Sequence, residues 1–397
     1  MRASAAAAAL RAAPLRDTRR PRASHPHRLA CRAASSPLPL SAWSPAPAQV
    51  ERVSARELSP AELSGRCAAG KPLLITDAWP DLDAPAWLAQ LVSSLGPRRV
   101  VYQVQCSGET ELYESALRDY LPEMVAESTH EAARFLFDEE ALGGSPALRL
   151  APPAWAVGAE GDGFEAFPPP LRPAPCCLLA GGAGARSGLH ADPYAWTGWN
   201  ALLEGEKLWT FLPPSAEADA ALSAVRKPPN AWGAEGADVA AGWESAVDLY
   251  RQRTQAGAGA AAFAPSQPLP AWLEASAMRC TQREGEMLLI PPATWHQTYH
   301  LGPTLALAGQ WLSEANADGV FRHMLAWCGA TDDVAQALLA RPELAAGPLH
   351  ERAAAALRAA LAARHGAAGA EALLQQLWRD PPPPKRKRRR TPKAATA

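Results

Sequence analysis

The chain has 397 residues, 48% of them apolar, enough to fill the core of one large domain with tails or of two small domains. No apolar run approaches the ~18 residues that a membrane-spanning helix needs, so no membrane partner is expected. A net charge of -1 conceals two basic tails on an acidic body: residues 1–36 hold eight Arg and one Asp, residues 381–397 hold seven Lys or Arg and no acid, and 24 basic and 39 acidic residues lie between them.

Residues 1–48 form a basic Ala/Arg/Pro-rich segment, read either as an organelle transit peptide over Met1–Ser36 or as a disordered extension, followed by a proline-spaced linker. The pattern Ser59-Pro60-Ala61-Glu62 is a capping box with Pro at the first helical position, so a short helix starts there. A strand Leu73–Thr76, a helix Ala84–Leu95, a strand Arg99–Val104 and a helix Ser115–Val125 with Leu117, Tyr120 and Leu121 inward come next. Arg134–Asp138 is a further strand, and this mixed start packs helices against one sheet of a β-rich core.

From Cys176 onward short strands alternate with turns, the pattern of a jelly roll of two antiparallel sheets. An insert over about residues 226–270 is expected to be helical in part, with Trp243, Val247 and Tyr250 at helical spacing and read as packing. Met287–Ile290, Trp295–Leu301 and Thr304–Leu312 are expected to close the second sheet. Beyond Trp327 the chain turns Ala/Leu-rich, with helices expected over Val334–Leu339, His350–His365 and Glu371–Trp378 that cover the open end of the barrel. The segments are thus residues 1–48, a core over 49–328, a helical segment over 329–380 and a basic tail over 381–397. The seven cysteines show no paired framework and no C-x-x-C, a reducing-compartment pattern, with Cys176 and Cys177 read as buried small residues.

Chemistry concentrates between Ser187 and Pro214. His190 and Asp192 stand two apart in an extended or turning segment, and a turn brings both heads to one side. His296, after an apolar strand and a proline turn, supplies a third ligand, making a two-histidine, one-carboxylate set that leaves positions open and suits a non-haem Fe(II) oxygenase. Strand alternation puts Lys207 on one face with Trp209 and Phe211, and a lysine on an apolar face needs an anion, such as a ligand carboxylate, or a route for its head to solvent. His296, Thr298 and His300 share a face, so His300 points into the same cavity, either toward a ligand or toward a satisfying neighbour.

Ser187–Pro214 and Glu284–Leu312 resemble the two metal-binding segments of the Jumonji C (JmjC) family of Fe(II)- and 2-oxoglutarate-dependent oxygenases, and are most similar to its branch of nuclear lysyl hydroxylases first named phosphatidylserine receptor. Lys71–Pro80 resembles the opening strand of that family and Asp238–Tyr250 an insert before its last motif, so the likeness runs from about residue 50 to 325. The resemblance implies a cupin-like double-stranded β-helix, mainly β with flanking helices. It also implies Fe(II) on His190, Asp192 and His296, and 2-oxoglutarate held at its distal carboxylate by Lys207 with help from Ser187 and Asn200. Dioxygen takes the last position, and hydroxylation or oxidative demethylation of a protein side chain, Lys or Arg, is the implied reaction. Phe135 and Ala308 depart from the family, whose close relatives carry a tyrosine and a threonine there, and His300 stands where an asparagine is usual. Two hydroxyls are thereby lost, at about 1.5 to 3 kcal/mol for each hydrogen bond to a charged group.

An acidic body repels nucleic-acid phosphate and favours a basic peptide, unless its charge serves solubility, and leaves nucleic acid to the basic tail. The resemblance adds a homodimer through the C-terminal helices as the alternative to a barrel cover. Lys385–Arg390 resembles a nuclear localisation patch and points to the nucleus, against a chloroplast or mitochondrion from the transit-like start. The alternatives to an oxygenase are a catalytically silent JmjC-fold binding module, a zinc hydrolase, which has no need of Lys207, and an RNA hydroxylase.

Overall fold

A computed structural model describes residues 48–106, 109–157, 163–168, 173–192, 196–222, 225–226, 243–245, 247–253, 262–264, 268–314, 316–327 and 330–378. The transit-like start, the Pro37–Pro47 linker and the Lys385–Arg390 run therefore lie outside the described residues.

Two large sheets make the core. One has nine strands in the order Glu51–Ser54, Leu73–Thr76, Met287–Ile290, Thr197–Glu204, Thr304–Trp311, Cys177–Gly181, Ala132–Asp138, Arg99–Cys106 and Glu109–Ala116. The other has seven, in the order Ala48–Gln49, Met278–Arg283, Glu206–Leu212, Trp295–His300, His190–Ala191, Trp243–Glu244 and Val225–Arg226. From Cys177 onward the chain passes back and forth between the sheets, which is the winding of a jelly roll. It follows that the last three strands do not close one sheet as expected: Met287–Ile290 and Thr304–Trp311 belong to the nine-stranded sheet and Trp295–His300 to the other. Sequence neighbours in this winding lie across the barrel, not side by side.

The side-chain alternation assigns each face. In the Thr197–Glu204 strand, Trp199, Ala201 and Leu203 join Leu73, Ile75, Met287 and Leu289 on the outer face, where the N-terminal helices pack. Leu74, Leu288, Ile290, Trp209, Phe211 and Cys280 form a separate cluster between the sheets. The outer face of the seven-stranded sheet is covered by Leu208, Leu212, Leu222, Leu273, Trp295 and Tyr299.

The N-terminal elements follow their local signals. Ser59 and Glu62 make the reciprocal capping box of the Pro60–Ala68 helix, and Asp83 accepts from Ala86 N at the start of Ala84–Leu95. Leu117, Tyr120 and Leu121 are buried on the Leu117–Glu127 helix, whose first two expected residues, Ser115 and Ala116, instead end the strand Glu109–Ala116. That strand was not expected because glutamates interrupt its apolar pattern; it is held as an edge strand by a full hairpin to Arg99–Cys106.

The insert corrects a second expectation. Trp243–Glu244 is not helical; it is a strand paired with Ala191 and His190, and the residues after it run in extended and turn conformation to bury Val247 and Tyr250. The spacing of the three residues fits a turn-rich strap as well as a helix. Cysteine pairing is corrected too: Cys67, Cys176, Cys177 and Cys280 are free and buried, but Cys106 is disulfide-bonded.

The C-terminal helices are Ala317–Trp327, Asp332–Leu339, Pro342–Ala345 and Leu349–Leu377, the last kinked at Gly366, where φ is 72°. They form one cluster with Phe164, Phe167, Trp196 and Leu312, so they close against the barrel wall beside Trp196. Among the described residues no helix is long and apolar enough to cross a membrane.

Candidate metal centre

The structure brings His190, Asp192 and His296 together, with one ligand atom from each lying within 4.8 Å of the other two. His190 and His296 are cross-strand partners, their ring centroids 4.2 Å apart, and His190 Nε2 lies 3.7 Å from Asp192 Oδ1. Metal ligands at right angles on bonds of ~2.1 Å sit ~3 Å apart, so a small inward closure completes the set.

Both imidazoles are fixed by their own backbone. His190 Nδ1 donates to the Gly188 carbonyl at 2.8 Å and His296 Nδ1 to the Thr294 carbonyl at 2.9 Å. Each bond spans two residues, so a local turn sets the tautomer and leaves the Nε2 lone pair for a cation. Asp192 is held from behind by an absence: a Cβ on Gly198 would stand 2.7 Å from Asp192 Oδ2 and 3.2 Å from Ile290 Cβ. Two imidazole nitrogens and a carboxylate on one side of a pocket are a donor set for a first-row divalent metal with open positions, so the residues fit Fe(II). Trp209 and Phe211, stacked 5.7 Å apart and within 6.1 Å of the His296 ring, make an apolar wall beside it.

The second half of the site lies along the same strand face. Lys207 stands opposite His300 while Phe211 stands opposite His296, so Lys207 is four residues, or ~13 Å of strand, from the metal end. It is 1% exposed, it has no ion-pair partner among the described residues, and burial alone lowers its pKa to about 7. Next to it His300 is fully buried, with Nδ1 2.6 Å from Thr304 Oγ1 and Nε2 without a partner. Burial, first, and the neighbouring Lys207 charge, second, push its pKa well below the usual imidazole value. Asn200 faces inward from the opposite sheet, 2% exposed, with Oδ1 unpaired. Ser187 sits nearer the rim, where its Oγ accepts from Thr298 N at 3.0 Å.

The residues that depart from the family pattern line this half. Phe135 is buried with its ring edge-on to His300 at 5.5 Å, and Ala308 is paired in register with Asn200. Three participants escape a reading of the sequence: Gly198, Thr304 and the Arg186–Asp248 pair at 2.8 Å, whose Asp248 also accepts from Gln297 Nε2 at 3.0 Å. Gly198 carries a signal, a glycine inside an otherwise bulky strand six residues after Asp192. The other two join segments far apart in the winding and leave none.

Comparison with known proteins agrees with the fold. The family of cupin-like domains matches residues 66–316. A bifunctional arginine demethylase and lysyl-hydroxylase, psr-1, of Caenorhabditis briggsae is 28% identical over 158 residues, 40% of this chain and 34% of that protein. An arginine-specific demethylase, JMJ22, of Arabidopsis thaliana is 26% identical over 139 residues, 35% of this chain and 23% of its own length. A lysine-specific demethylase, JMJ21, from the same plant is 25% identical over 265 residues, 66% of this chain and 25% of its own length. The chain spans about a third or less of the length of these relatives.

Proposed function

From the premise that this chain belongs to the cupin-like domain family, we propose that it is an Fe(II)- and 2-oxoglutarate-dependent oxygenase that hydroxylates or oxidatively demethylates a Lys or Arg side chain of a basic protein segment. The observation that carries the reading is the pairing of two features on one strand face: a two-histidine, one-carboxylate set with both Nδ1 atoms tied back, and a buried lysine without an anion.

When bound, the metal and its cosubstrate supply the oxidation, in which dioxygen and 2-oxoglutarate become succinate and CO2 as a substrate C–H becomes C–OH. His190, Asp192 and His296 hold the cation from one side and leave the other side to ligands. Lys207 binds the distal carboxylate of the keto acid, which repays the desolvation of its own ammonium. Asn200 and Ser187 line the cosubstrate path, while Trp209 and Phe211 keep water from the metal's flank. Hydroxylation of a chain carbon leaves a stable alcohol; hydroxylation of an N-methyl group leaves a product that loses formaldehyde, so both outcomes share one first step. The acidic body supports a basic substrate, and a peptide array preferring acidic sequences would reverse that choice. A nuclear destination is proposed on Lys385–Arg390, and a tagged protein found only in plastids or mitochondria would overturn it.

Phe135 and Ala308 favour a second reading, a fold kept for binding with its cosubstrate pocket emptied. Anaerobic calorimetry with Mn(II), then 2-oxoglutarate, separates the two. Metal-dependent binding of 2-oxoglutarate, lost in Lys207→Ala, supports the oxygenase; metal binding without it supports the binding module.

A further inference from the structure

Resting on the oxygenase reading, we infer that His300, positioned by Thr304, is the second donor to the distal carboxylate of the cosubstrate, in place of the hydroxyls that Phe135 and Ala308 cannot supply. Three observations converge. His300 is fully buried and opposite Lys207 in the strand register, so both side chains stand as neighbours on the inner face of adjacent strands. Its Nε2 is buried and has no partner, a desolvated polar atom that a ligand would satisfy. The ring cannot turn away: Phe135 bounds one edge at 5.5 Å, and a Cβ on Gly181 would stand 2.5 Å from Nδ1.

Thr304 decides what Nε2 offers. Without a ligand its hydroxyl points to the Gly181 carbonyl at 3.4 Å, which the ring also bonds, so the ring proton rests on Nδ1; a rotation of that hydroxyl turns it from acceptor to donor toward Nδ1, 2.6 Å away. When it donates, the single imidazole proton sits on Nε2 and faces the pocket. An anion beside Lys207 selects that tautomer, and His300 then adds a hydrogen bond without adding a second positive charge to a site that must also stand empty. The direction of its pKa, well below the usual value, agrees with a ring that stays neutral. Thr304 is thus a positioning residue and His300 a binding residue.

The test is calorimetric titration of 2-oxoglutarate into the full chain saturated with Mn(II), for wild type, Lys207→Ala, His300→Phe, His300→Asn and Thr304→Val. Mn(II) affinity of each variant reports that the barrel has folded. Removing a hydrogen bond to a charged group predicts about tenfold or more weaker binding in His300→Phe. His300→Asn, which restores an N–H donor, stays within a few-fold of wild type, and Thr304→Val lies between. In wild type labelled with 15N histidine, 2-oxoglutarate moves the His300 proton to Nε2, a signature that a packing role would not produce. Wild-type affinity in His300→Phe alongside loss in Lys207→Ala overturns the role of His300 and leaves the oxygenase reading intact. Equal weakening in His300→Phe and His300→Asn assigns His300 to packing and also overturns it. No binding to the wild type overturns the oxygenase reading, and this inference with it.

Discussion

The metal end and the Lys207 end of one strand face are built on opposite principles. At the metal end each imidazole is finished by its own strand: Nδ1 of His190 and of His296 bonds the carbonyl two residues earlier, and a glycine clears space for the carboxylate. At the other end Asn200 Oδ1 and His300 Nε2 are buried without a hydrogen-bond partner, and Lys207 is buried with no ion-pair partner among the described residues. A low-dielectric interior raises the cost of every unpaired group, so that second half is stable only as a place where something polar is taken in. The first half is pre-organised by local backbone; the second waits for its ligand. The comparison is broken most severely by removing a metal ligand. His296→Ala takes out a central one, and we expect loss of all measurable Mn(II) binding by calorimetry, and with it loss of metal-dependent 2-oxoglutarate binding. Retained metal-dependent binding would mean that the cation sits elsewhere.

The next effect sharpens the contrast through pH. Lys207 in the folded chain titrates near 7, below its unfolded value, because burial disfavours the ammonium. Between about pH 7 and the ordinary lysine value the unfolded chain therefore holds more protons than the folded one, so this group makes the ligand-free protein more stable as pH rises through that window. Binding a carboxylate needs the opposite protonation state. With metal saturating, 2-oxoglutarate affinity should fall by up to about tenfold per unit above pH 7, measured by calorimetry from pH 7 to 8.5, while in Lys207→Arg whatever affinity remains should not vary. A flat wild-type profile would remove Lys207 from the anion site. An effect of comparable size comes at the metal end, from Gly198→Ala. Its new Cβ meets Asp192 Oδ2 at 2.7 Å, so the carboxylate must move, and Mn(II) affinity should drop about 10- to 100-fold, the usual range for a group that orients a ligand.

How much of this was legible in the sequence follows the same division. His190 and Asp192 are readable because the constraint on them is local, and Lys207 because strand alternation alone puts it with Trp209 and Phe211. The helix Ala84–Leu95 and the strand Leu73–Thr76 are readable for the same reason, since cap, proline and apolar spacing all lie within a dozen residues. What was not legible depends on how the winding stacks distant segments. The three C-terminal strands were given to one sheet because they are consecutive, yet they alternate between two. Trp243 was read as helical because its spacing to Val247 and Tyr250 fits, and only the pairing with Ala191 and His190 excludes a helix. The bond from Thr304 to His300 turns a corner between sheets, where neither helical nor strand period applies.

The smallest effect concerns the strap that ties the insert to the metal strands. Asp248 receives Arg186 on one side and Gln297 Nε2 on the other, while Gln297 Oε1 accepts from Leu249 N at 2.8 Å and its Nε2 donates to the Ser187 carbonyl. Beyond the strand pairing of Trp243–Glu244 with Ala191 and His190, the strap thus grips Arg186, Ser187 and Gln297, which flank the two histidines, through bonds that do not involve either imidazole. Since Asp248 and Arg186 are 26% and 20% exposed at their side chains, solvent screens their attraction, and Asp248→Ala should cost only about 1 kcal/mol of stability by chemical denaturation. If the metal end is organised by its own local turns, Mn(II) affinity in that variant should stay within a few-fold of wild type. A loss as large as that of Gly198→Ala would show that the insert, and not the backbone carbonyls of Gly188 and Thr294, sets the geometry of the site.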